Sequence, residues 1–158
     1  MIDIDFKKPI SRGLAKAGAF IINKAINEAP KPRLRTGFLR GSWFIDAEGS
    51  IQAGDKVQGG SANSVDGEQV SATWEGVSGE ANRGHLHVGF NTPYAAQQHE
   101  LDAEVNYTPP PGASKNERER YRRRANANKD SGAFFLEAKL KKYEKTIERI
   151  IGEQIKNL

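Results

Sequence analysis

Residues 8–32 read KPISRGLAKAGAFIINKAINEAPKP, and this stretch decides how the rest of the chain has to fold. Its apolar residues recur at steps of three and four, which places them on one face of a helix over residues 8–28. Pro30 and Pro32 end this helix, because proline disfavours the helical conformation of the residue before it. A helix with one apolar face needs a covering layer, which other segments must supply. That face holds Ile10, Leu14, Ala17, Ile21 and Ala25, and Ile22 and Ile26 widen it.

Three later segments alternate apolar and polar residues, a pattern that predicts β-strands over residues 38–46, 69–77 and 85–90. Only one face of each strand is apolar, which is typical of an antiparallel sheet with a single covered face. The apolar residues that share a face within each strand are Leu39, Trp43 and Ile45, then Val70, Ala72 and Trp74, then Leu86, Val88 and Phe90.

Two further helices are predicted after the strands. Thr92-Pro93 combines a capping residue with a proline at the first helical position, which predicts a short helix from Pro93 to about Leu101. The last helix is predicted from about Gly132 to the end of the chain. Its apolar face holds Leu136, Leu140, Tyr143, Ile147, Ile150 and Leu158. This face could serve a coiled-coil dimer, but packing on the domain's own sheet is favoured because an uncovered sheet face needs a partner.

Two polar segments interrupt these elements. Residues 47–68 are rich in Gly, Ser and Asn and are predicted to form a long flexible loop. Residues 102–130 form a basic insertion that breaks at Pro109–Gly112 and has helical potential over 114–127. Without an apolar stripe to anchor it, the basic part is expected to project from the domain.

The order of elements predicts one α+β domain over residues 1–158. An antiparallel sheet of about three to four strands is expected to be covered on one face by the N-terminal and C-terminal helices. The predicted core consists of Leu14, Ile21, Trp43, Leu86, Val88, Leu136, Leu140 and Ile147.

Composition excludes several classes of protein. The 158 residues include no cysteine, so a disulfide framework or a thiolate metal site is impossible. No apolar run approaches the ~18 residues needed to cross a bilayer, so no membrane partner is expected. The first five residues, MIDID, lack the features of a signal peptide, which favours a protein made in the cytoplasm.

The net charge of +4 comes from one segment. Residues 115–129 hold seven Lys or Arg and two Glu, which gives 7 − 2 = +5, so the rest of the chain sums to −1. Such a run either contacts phosphates or an acidic partner, or forms a solvated helical face with Glu–Arg pairs. The candidate contact residues are Lys115, Arg118, Arg120, Arg122, Arg123 and Arg124. A stand-alone nucleic-acid-binding protein that uses residues 115–124 is therefore an alternative function.

Residues with catalytic or metal-binding potential form no recognisable motif. His85 and His87 share one strand face, and His99 and Glu100 could complete a metal site, but nothing in the spacing requires it. No nucleophile accompanies a base, and no Gly-Lys-Ser/Thr follows a strand. We therefore expect no enzyme activity, no cofactor and no metal.

Three segments, taken as an ordered set, resemble the small neck proteins of tailed bacteriophages, known as tail-completion, head–tail joining or minor capsid proteins. The first segment runs from Ala29-Pro30 through TGFLRGSW at residues 36–43, and the second is VGFNTPYA at residues 88–95 followed by His99-Glu100. The third is GAFFLEA at residues 132–138. The motif residues are Pro30, Thr36, Gly37, Leu39, Ser42, Tyr94, Ala95, His99, Glu100, Phe135 and Leu136.

The resemblance implies a structural role in the virion, after assembly in the host cytoplasm. A neck protein of this kind would form a homo-oligomeric ring, a hexamer, around the DNA channel. Its partners would be the tail terminator or tail tube protein, the head-side connector proteins and, non-specifically, the genomic DNA. In that setting Thr36-Gly37 would turn the chain into the sheet, and Phe135 and Leu136 would fix the start of the last helix to the core.

Overall fold

The computed structural model describes residues 7–100 and 107–156, which form helices and antiparallel sheets. This arrangement confirms the predicted α+β class. The helices are α1 (Lys7–Asn27), α2 (Phe38–Gly41), α3 (Ala95–Glu100), α4 (Lys115–Asn128) and α5 (Phe135–Lys156). The strands are β1 (Trp43–Ala47), β2 (Ser50–Ala53), β3 (Gly59–Asn63), β4 (Gln69–Thr73) and β5 (Leu86–Phe90).

The strands form two separate antiparallel sheets. The larger sheet has the order β2-β1-β5, and β3 and β4 form the smaller one. At the middle of the larger sheet, Ile45 of β1 pairs with Gln52 of β2 and with Val88 of β5.

Helix α1 is the middle layer of the domain, because it is covered on two sides. A Cβ atom on Gly18 would lie only 2.5 Å from Ile45 Cγ2, so the helix backbone comes very close to β1. A Cβ atom on Gly13 would lie 3.2 Å from the Cα of Ile151, so α5 covers another side of the same helix. This double cover explains why the buried residues of α1 include Leu14, Ala17, Ile21, Ile22 and Ala25.

Helix α5 packs antiparallel on α1, whereas the sequence predicted that both terminal helices cover the sheet. Tyr143 OH donates to Glu28 at 2.5 Å near one end of the pair, and Lys16 Nζ donates to Gln154 at 2.9 Å near the other. The first turn of α5 reaches the sheet, where the rings of Phe135 and Phe90 meet edge to face at 5.4 Å.

The predicted core is therefore only partly right. Leu14 and Ile21 are buried, but Leu140 is 40% exposed because α5 lies at the outside of the layers. Its neighbour Lys139 is 1% exposed, and its Nζ donates to the carbonyls of Ala29 and Pro30 at 2.8 and 3.2 Å. Burial lowers the pKa of this lysine. The other predicted core residues are half-buried: Trp43, Leu86, Val88, Leu136 and Ile147.

The strand predicted over residues 38–46 begins only at Trp43. Gly37 has a φ of +80°, which ends any extended run and starts the single helical turn α2. Within that turn Phe38 and Leu39 are both buried. Consecutive strand residues would point to opposite faces, so a helical turn is needed to bury both.

Residues 47–68 are not the loop without regular structure that their composition predicted, because they contain β2 and β3. Glu48 and Gly49 both have positive φ, 53° and 85°, and join β1 to β2 in a two-residue hairpin turn. Strand β3 pairs with β4, and both strands are largely exposed. Backbone pairing forms these strands although few of their side chains are apolar.

The remaining elements match their predictions closely. Strand β5 falls inside 85–90, and β4 is shorter than the predicted 69–77. Helix α3 begins two residues after Pro93, and the predicted end at Leu101 lies outside the described residues. Helix α4 spans nearly the predicted 114–127, while residues 102–106 of the insertion lie outside the described part. Helix α5 starts three residues after Gly132.

Candidate functional site

A cleft of about 620 Å³ opens in the described part of the chain. It lies between residues 33–39, strand β4, helix α3, Tyr107 and the last turns of α4. Its size is within the range of about 300–1,000 Å³ in which proteins bind small ligands or side chains. The apolar lining consists of Leu34, Phe38, Leu39, Val70, Ala72 and Trp74. The polar lining includes Arg33, Arg35, Arg124, Tyr94, Tyr107 and Asn128.

The apolar floor of the cleft is held by an aromatic pair. The rings of Phe38 and Trp74 meet edge to face, with centroids 5.4 Å apart. The indole nitrogen of Trp74 donates to the carbonyl of Val57 at 3.0 Å, which fixes the ring against the segment between β2 and β3. Edge-to-face pairs of this kind add stability beyond that of area burial, so the floor is a preformed surface.

One wall of the cleft is fixed by an ion pair between α4 and the β3–β4 turn. Arg124 donates from Nε and Nη2 to the same oxygen of Asp66, at 2.8 and 2.5 Å. The Asp66 side chain is only 4% exposed, and its other oxygen has no hydrogen-bond partner among the described residues. The bond from Arg124 to Asp66 raises the pKa of the arginine, which therefore stays charged.

Three arginines contribute to the lining of the cleft. Arg33, Arg35 and Arg124 are among its described lining residues, and none of those lining residues is Asp or Glu. Tyr94 is exposed beside them, and burial of its hydroxyl raises its pKa, so it stays a neutral hydrogen-bond donor. Arg124 already pairs with Asp66, so its charge is balanced within the chain. The cleft therefore combines an apolar floor with arginine and tyrosine side chains that can form hydrogen bonds.

Comparisons of the chain with models of protein families, with curated proteins and with solved structures find no match. The site is therefore interpreted from its own chemistry and from the three segments that carry the resemblance.

Four of the motif residues come together at the cleft, namely Thr36, Gly37, Leu39 and Tyr94. Two more fix the path of the chain behind it. Ser42 is fully buried, and its Oγ donates to the carbonyl of Leu39 at 3.0 Å. Ala95 opens α3, and its N–H donates to the carbonyl of Thr92 at 2.9 Å.

The other motif residues lie around the first turn of α5. The ring of His99 meets Phe135 edge to face at 4.9 Å, and Phe135 is buried. Pro30 sits beside Gly132, where an added Cβ would lie 3.1 Å from Pro30 Cβ. Leu136 is half-buried and Glu100 is exposed.

The basic candidate residues lie on α4, which begins with a complete capping box. Ser114 Oγ accepts from Glu117 N at 3.3 Å, and the Glu117 side chain accepts from Ser114 N at 2.7 Å. Arg122 and Arg123 both pair with Glu119, at 2.9 and 3.5 Å. This helix therefore has the Glu–Arg pairs expected of a solvated face, while Lys115 and Arg120 remain exposed.

The expectation that this segment projects without an anchor is wrong for its C-terminal half. Arg124 is tied to Asp66, and Asn128 is buried against the backbone of Leu34. Arg118 is held locally, since its Nε donates to the carbonyl of Ala113 at 2.9 Å. The anchors are polar, which is why the lack of an apolar stripe did not reveal them.

The candidate metal ligands are not brought together. His85 and His87 are both exposed on or beside β5, while His99 lies against Phe134 and Phe135. Over residues 7–100 and 107–156, no three His, Asp or Glu side chains are grouped so that they could hold a metal ion. In the same part of the chain no helix is long and apolar enough to cross a membrane.

The buried carboxylate of Asp46, which the sequence analysis missed, organises the end of the sheet where β1 turns into β2. Asp46 accepts three backbone N–H groups, from Gly49 at 2.8 Å and from Glu80 and Ala81 at 2.7 Å each. Burial alone would raise the pKa of Asp46, but these three donors together lower it. An aspartate one residue before the end of a strand gave no sign of this role, because two of its three donors, Glu80 and Ala81, are 34 and 35 residues away.

Proposed function

We propose that this chain is a structural subunit of the neck of a tailed bacteriophage, where it completes the tail and joins it to the head around the DNA channel. The single observation that carries the proposal is the contact among the three segments that resemble neck proteins. They are far apart in sequence, yet each of them touches the other two.

The contacts between the segments are specific. The first and second meet where Asn91 N donates to the carbonyl of Ser42 at 2.9 Å. The second and third meet where Phe134 N donates to the carbonyl of His99 at 2.7 Å. The first and third meet at Pro30, which lies against Gly132. An ordered motif set that also forms one physical unit supports a shared origin with the family that it resembles.

The contiguous unit also presents a binding surface. Four of its motif residues line the cleft, Ser42 bonds to the carbonyl of Leu39 behind it, and His99 packs on Phe135. A ring subunit needs surfaces of this kind for its own copies and for the rings above and below it. In this proposal the chain forms a homo-oligomeric ring, a hexamer, between the tail terminator or tail tube and the head-side connector.

The exposed basic face of α4 has a place in the same proposal. Lys115, Arg118 and Arg120 are exposed at its N-terminal half, and Arg122 and Arg123 share the single carboxylate of Glu119. We expect this face to meet an acidic surface of an adjacent ring, or to touch passing DNA through a weak attraction that salt screens beyond ~8–10 Å.

Electron microscopy of intact virions that carry this protein tests the neck assignment. The map should show a closed ring of this fold between the head connector and the tail tube. Removal of the gene should yield separate filled heads and tails. A single asymmetric copy at the neck, or virions with joined heads and tails in the absence of the protein, would contradict the proposal.

Charge reversal tests the role of the basic face. Replacement of Arg118, Arg122 and Arg123 by Glu should reduce the yield of joined particles while the thermal unfolding midpoint of the purified subunit stays nearly unchanged. Reversal of Lys141, Lys145 and Lys156, which are exposed on α5, is the matched control and should leave the yield intact. If the α4 variant joins heads to tails normally, the face is only solvated.

The second candidate is a stand-alone nucleic-acid-binding protein, which the exposed cations of α4 favour. Such a protein would bind duplex DNA by itself, and log K would fall steeply and linearly with log salt. Titration of the purified chain with duplex DNA at several salt concentrations decides between the two. Tight binding of this kind, abolished by the same α4 reversal, would favour the second candidate.

A further inference from the structure

An exposed aromatic side chain of this chain matches the cleft. Phe134, the residue before α5, is 44% exposed, which makes it the most exposed large apolar side chain in the described part of the chain. We propose that Phe134 of one copy inserts into the cleft of the next copy, so that a single contact, repeated head to tail, builds the ring. This inference rests on the proposed neck ring, since it names the contact between its subunits.

Phe134 is held in its exposed position by contacts with α3. Its N–H donates to the carbonyl of His99 at 2.7 Å, and its ring meets the His99 ring edge to face, with centroids 5.8 Å apart. Its φ of 51° lies in the left-handed region, where a non-glycine residue is strained, and such strain is found most often at binding and catalytic sites. An aromatic side chain that is already fixed loses little freedom on binding, which suits it as an anchor.

The cleft lies on another side of α3, so its occupant comes from a second copy. Tyr94 and Gln98 of α3 line the cleft, whereas His99 packs on Phe134. Consecutive residues of a helix point about 100° apart, which separates the side of Gln98 from the side of His99. Phe134 is not among the residues that line the cleft of its own chain. The contact therefore joins two different surfaces, as head-to-tail assembly requires.

The cleft has the size and the lining to take a phenyl ring. Its volume of about 620 Å³ exceeds the space of one aromatic side chain, and its floor contains Phe38 and Trp74. These two rings already meet edge to face at 5.4 Å, and a third ring can extend the cluster in the same geometry.

Charges beside the two surfaces complement each other. Glu100 follows His99 on α3, so its backbone adjoins the carbonyl that holds Phe134. Arg35 lines the cleft. Both side chains are exposed, and neither forms an ion pair with a described residue. When Phe134 of one copy enters the cleft, Glu100 of that copy can meet Arg35 of the next. A pair of this kind fixes the orientation of a contact more than it adds affinity.

Mixing of two blocked variants tests the contact between copies. Phe134→Ala removes the inserted side chain, and Ala72→Phe fills the cleft from β4. In sedimentation velocity, we expect the unchanged chain to form assemblies of more than two copies, and each variant alone to associate about tenfold more weakly or worse. An equimolar mixture of the two variants should form dimers and nothing larger, because one intact Phe134 then meets one intact cleft.

Two matched controls accompany these variants. Leu140→Ala shortens another exposed apolar side chain, and Ser71→Phe adds a phenyl ring on the opposite face of β4. Both should assemble like the unchanged chain, and thermal unfolding checks that every variant is folded. An unchanged chain that stays monomeric or stops at dimers would overturn the proposal. So would controls that lose assembly as the blocked variants do, or a mixture without dimers.

Exchange of the two charges tests the orientation of the contact. Glu100→Arg alone and Arg35→Glu alone each place like charges opposite one another, so each should weaken assembly. Both substitutions in the same chain should restore it, because every contact then again pairs an arginine with a glutamate. If the double variant assembles no better than the single ones, Glu100 does not face Arg35 and the proposed contact is wrong.

The two proposals fail separately. The assembly measurements use purified protein and report only on Phe134 and the cleft, whereas the neck assignment depends on virions. If the mixed dimer forms and the protein is absent from the virion neck, the neck function is wrong and the contact stands. If a neck ring is seen and the blocked variants assemble normally, the ring closes by other surfaces.

Discussion

Asn128 at the end of α4 bonds to both backbone polar groups of Leu34. Its amide nitrogen donates to the Leu34 carbonyl at 2.8 Å, and its Oδ1 accepts from the Leu34 N–H at 2.6 Å. The Asn128 side chain therefore pairs with the backbone of Leu34 as a neighbouring strand would. This pairing fixes the wall of the cleft between α4 and the start of α2.

Replacement of Asn128 should therefore destabilise the domain and loosen the cleft. Asn128→Ala removes both hydrogen bonds and leaves a backbone donor and acceptor without their partner, which costs about 1–3 kcal/mol in the free energy of unfolding. Chemical denaturation measures the loss. Asn126→Ala, at an exposed position on the same helix, should change stability by less than about 0.5 kcal/mol. Equal effects of the two substitutions would show that the Leu34 contact adds nothing.

The position of α5 predicts a contrast between two aliphatic residues. Ile21→Ala on α1, at a side chain only 2% exposed, should lower the free energy of unfolding by about 2–5 kcal/mol. Leu140→Ala on α5 should cost less than about 1 kcal/mol, because its side chain is already largely solvated. Denaturant titration of both variants checks the contrast. A large loss at Leu140 would mean that a partner or another segment covers it.

The same contrast shows how far apolar periodicity predicts a fold. The spacing in α1 and α5 correctly predicted two helices, and it predicted the buried face of α1. The face predicted for α5 included Leu140, which is exposed. The spacing did not predict which helix lies between the other and the sheet. That order depends on Gly13 and Gly18, which let two neighbouring layers approach the α1 backbone. From the sequence alone, a glycine within a helix indicates only a lower helix propensity. Its role in packing can be recognised only when the segments that contact the helix are known.

The cleft was only partly predictable. Thr36, Gly37, Leu39 and Tyr94 were singled out through the resemblance, although nothing indicated that they would share a cavity. Trp74 and Asn128 were not recognised as cleft residues, and Asp66 was not recognised as the partner of the cleft residue Arg124, because the residues that they contact lie far away in sequence. Asp66 and Arg124, for example, are 58 residues apart. The sequence offered two signals, an acidic residue in a polar turn, Asp66, and an isolated tryptophan, Trp74. Neither signal identifies the residue that it contacts in the fold.

Strands β2 and β3 show that amino-acid composition alone does not always reveal a strand. The polar segment 47–68 lacks the apolar residues that usually indicate strands, so it was predicted as a loop. Its hairpins are formed by backbone pairing and by turn residues such as Gly49, with a φ of +85°. The Glu48-Gly49 turn was a usable local signal, since turns of two residues with positive φ favour glycine at the second position.

The two glycines at positions 18 and 152 should respond oppositely to alanine. Gly18→Ala places a methyl group 2.5 Å from Ile45 Cγ2 and should lower the free energy of unfolding by about 1–3 kcal/mol. Gly152→Ala meets no atom within 4 Å and should raise it by up to about 1 kcal/mol, through better helix propensity. Thermal unfolding of both variants measures the signs. A neutral Gly18→Ala would show that α1 can move away from β1.

The contacts of Glu28 at the end of α1 make stability depend on acid pH. Its carboxylate accepts hydrogen bonds from Lys24, from Tyr143 OH at 2.5 Å and from Lys142 at 3.3 Å. These donors, with Lys24 the strongest, lower the pKa of Glu28 from its usual 4.5 to about 2. Because the folded state holds the charged form more tightly than the unfolded chain does, the contribution is fully present above about pH 4.5.

That contribution should disappear as the pH falls from about 4.5 to about 2, where Glu28 is protonated in both states. Glu28→Gln cannot titrate, so its free energy of unfolding should fall less steeply over this window than that of the parent protein. The variant should be the less stable of the two above pH 5, and the difference should shrink towards pH 2. Denaturant titration at half-unit steps of pH measures both curves.

Glu144→Gln, at an exposed position on α5, is the matched control, and its curve should run parallel to that of the parent. If the Glu28→Gln curve also runs parallel to that of the parent, the folded state does not favour the ionised over the protonated carboxyl of Glu28. The contact of Glu28 with α5 would then contribute equally in both protonation states.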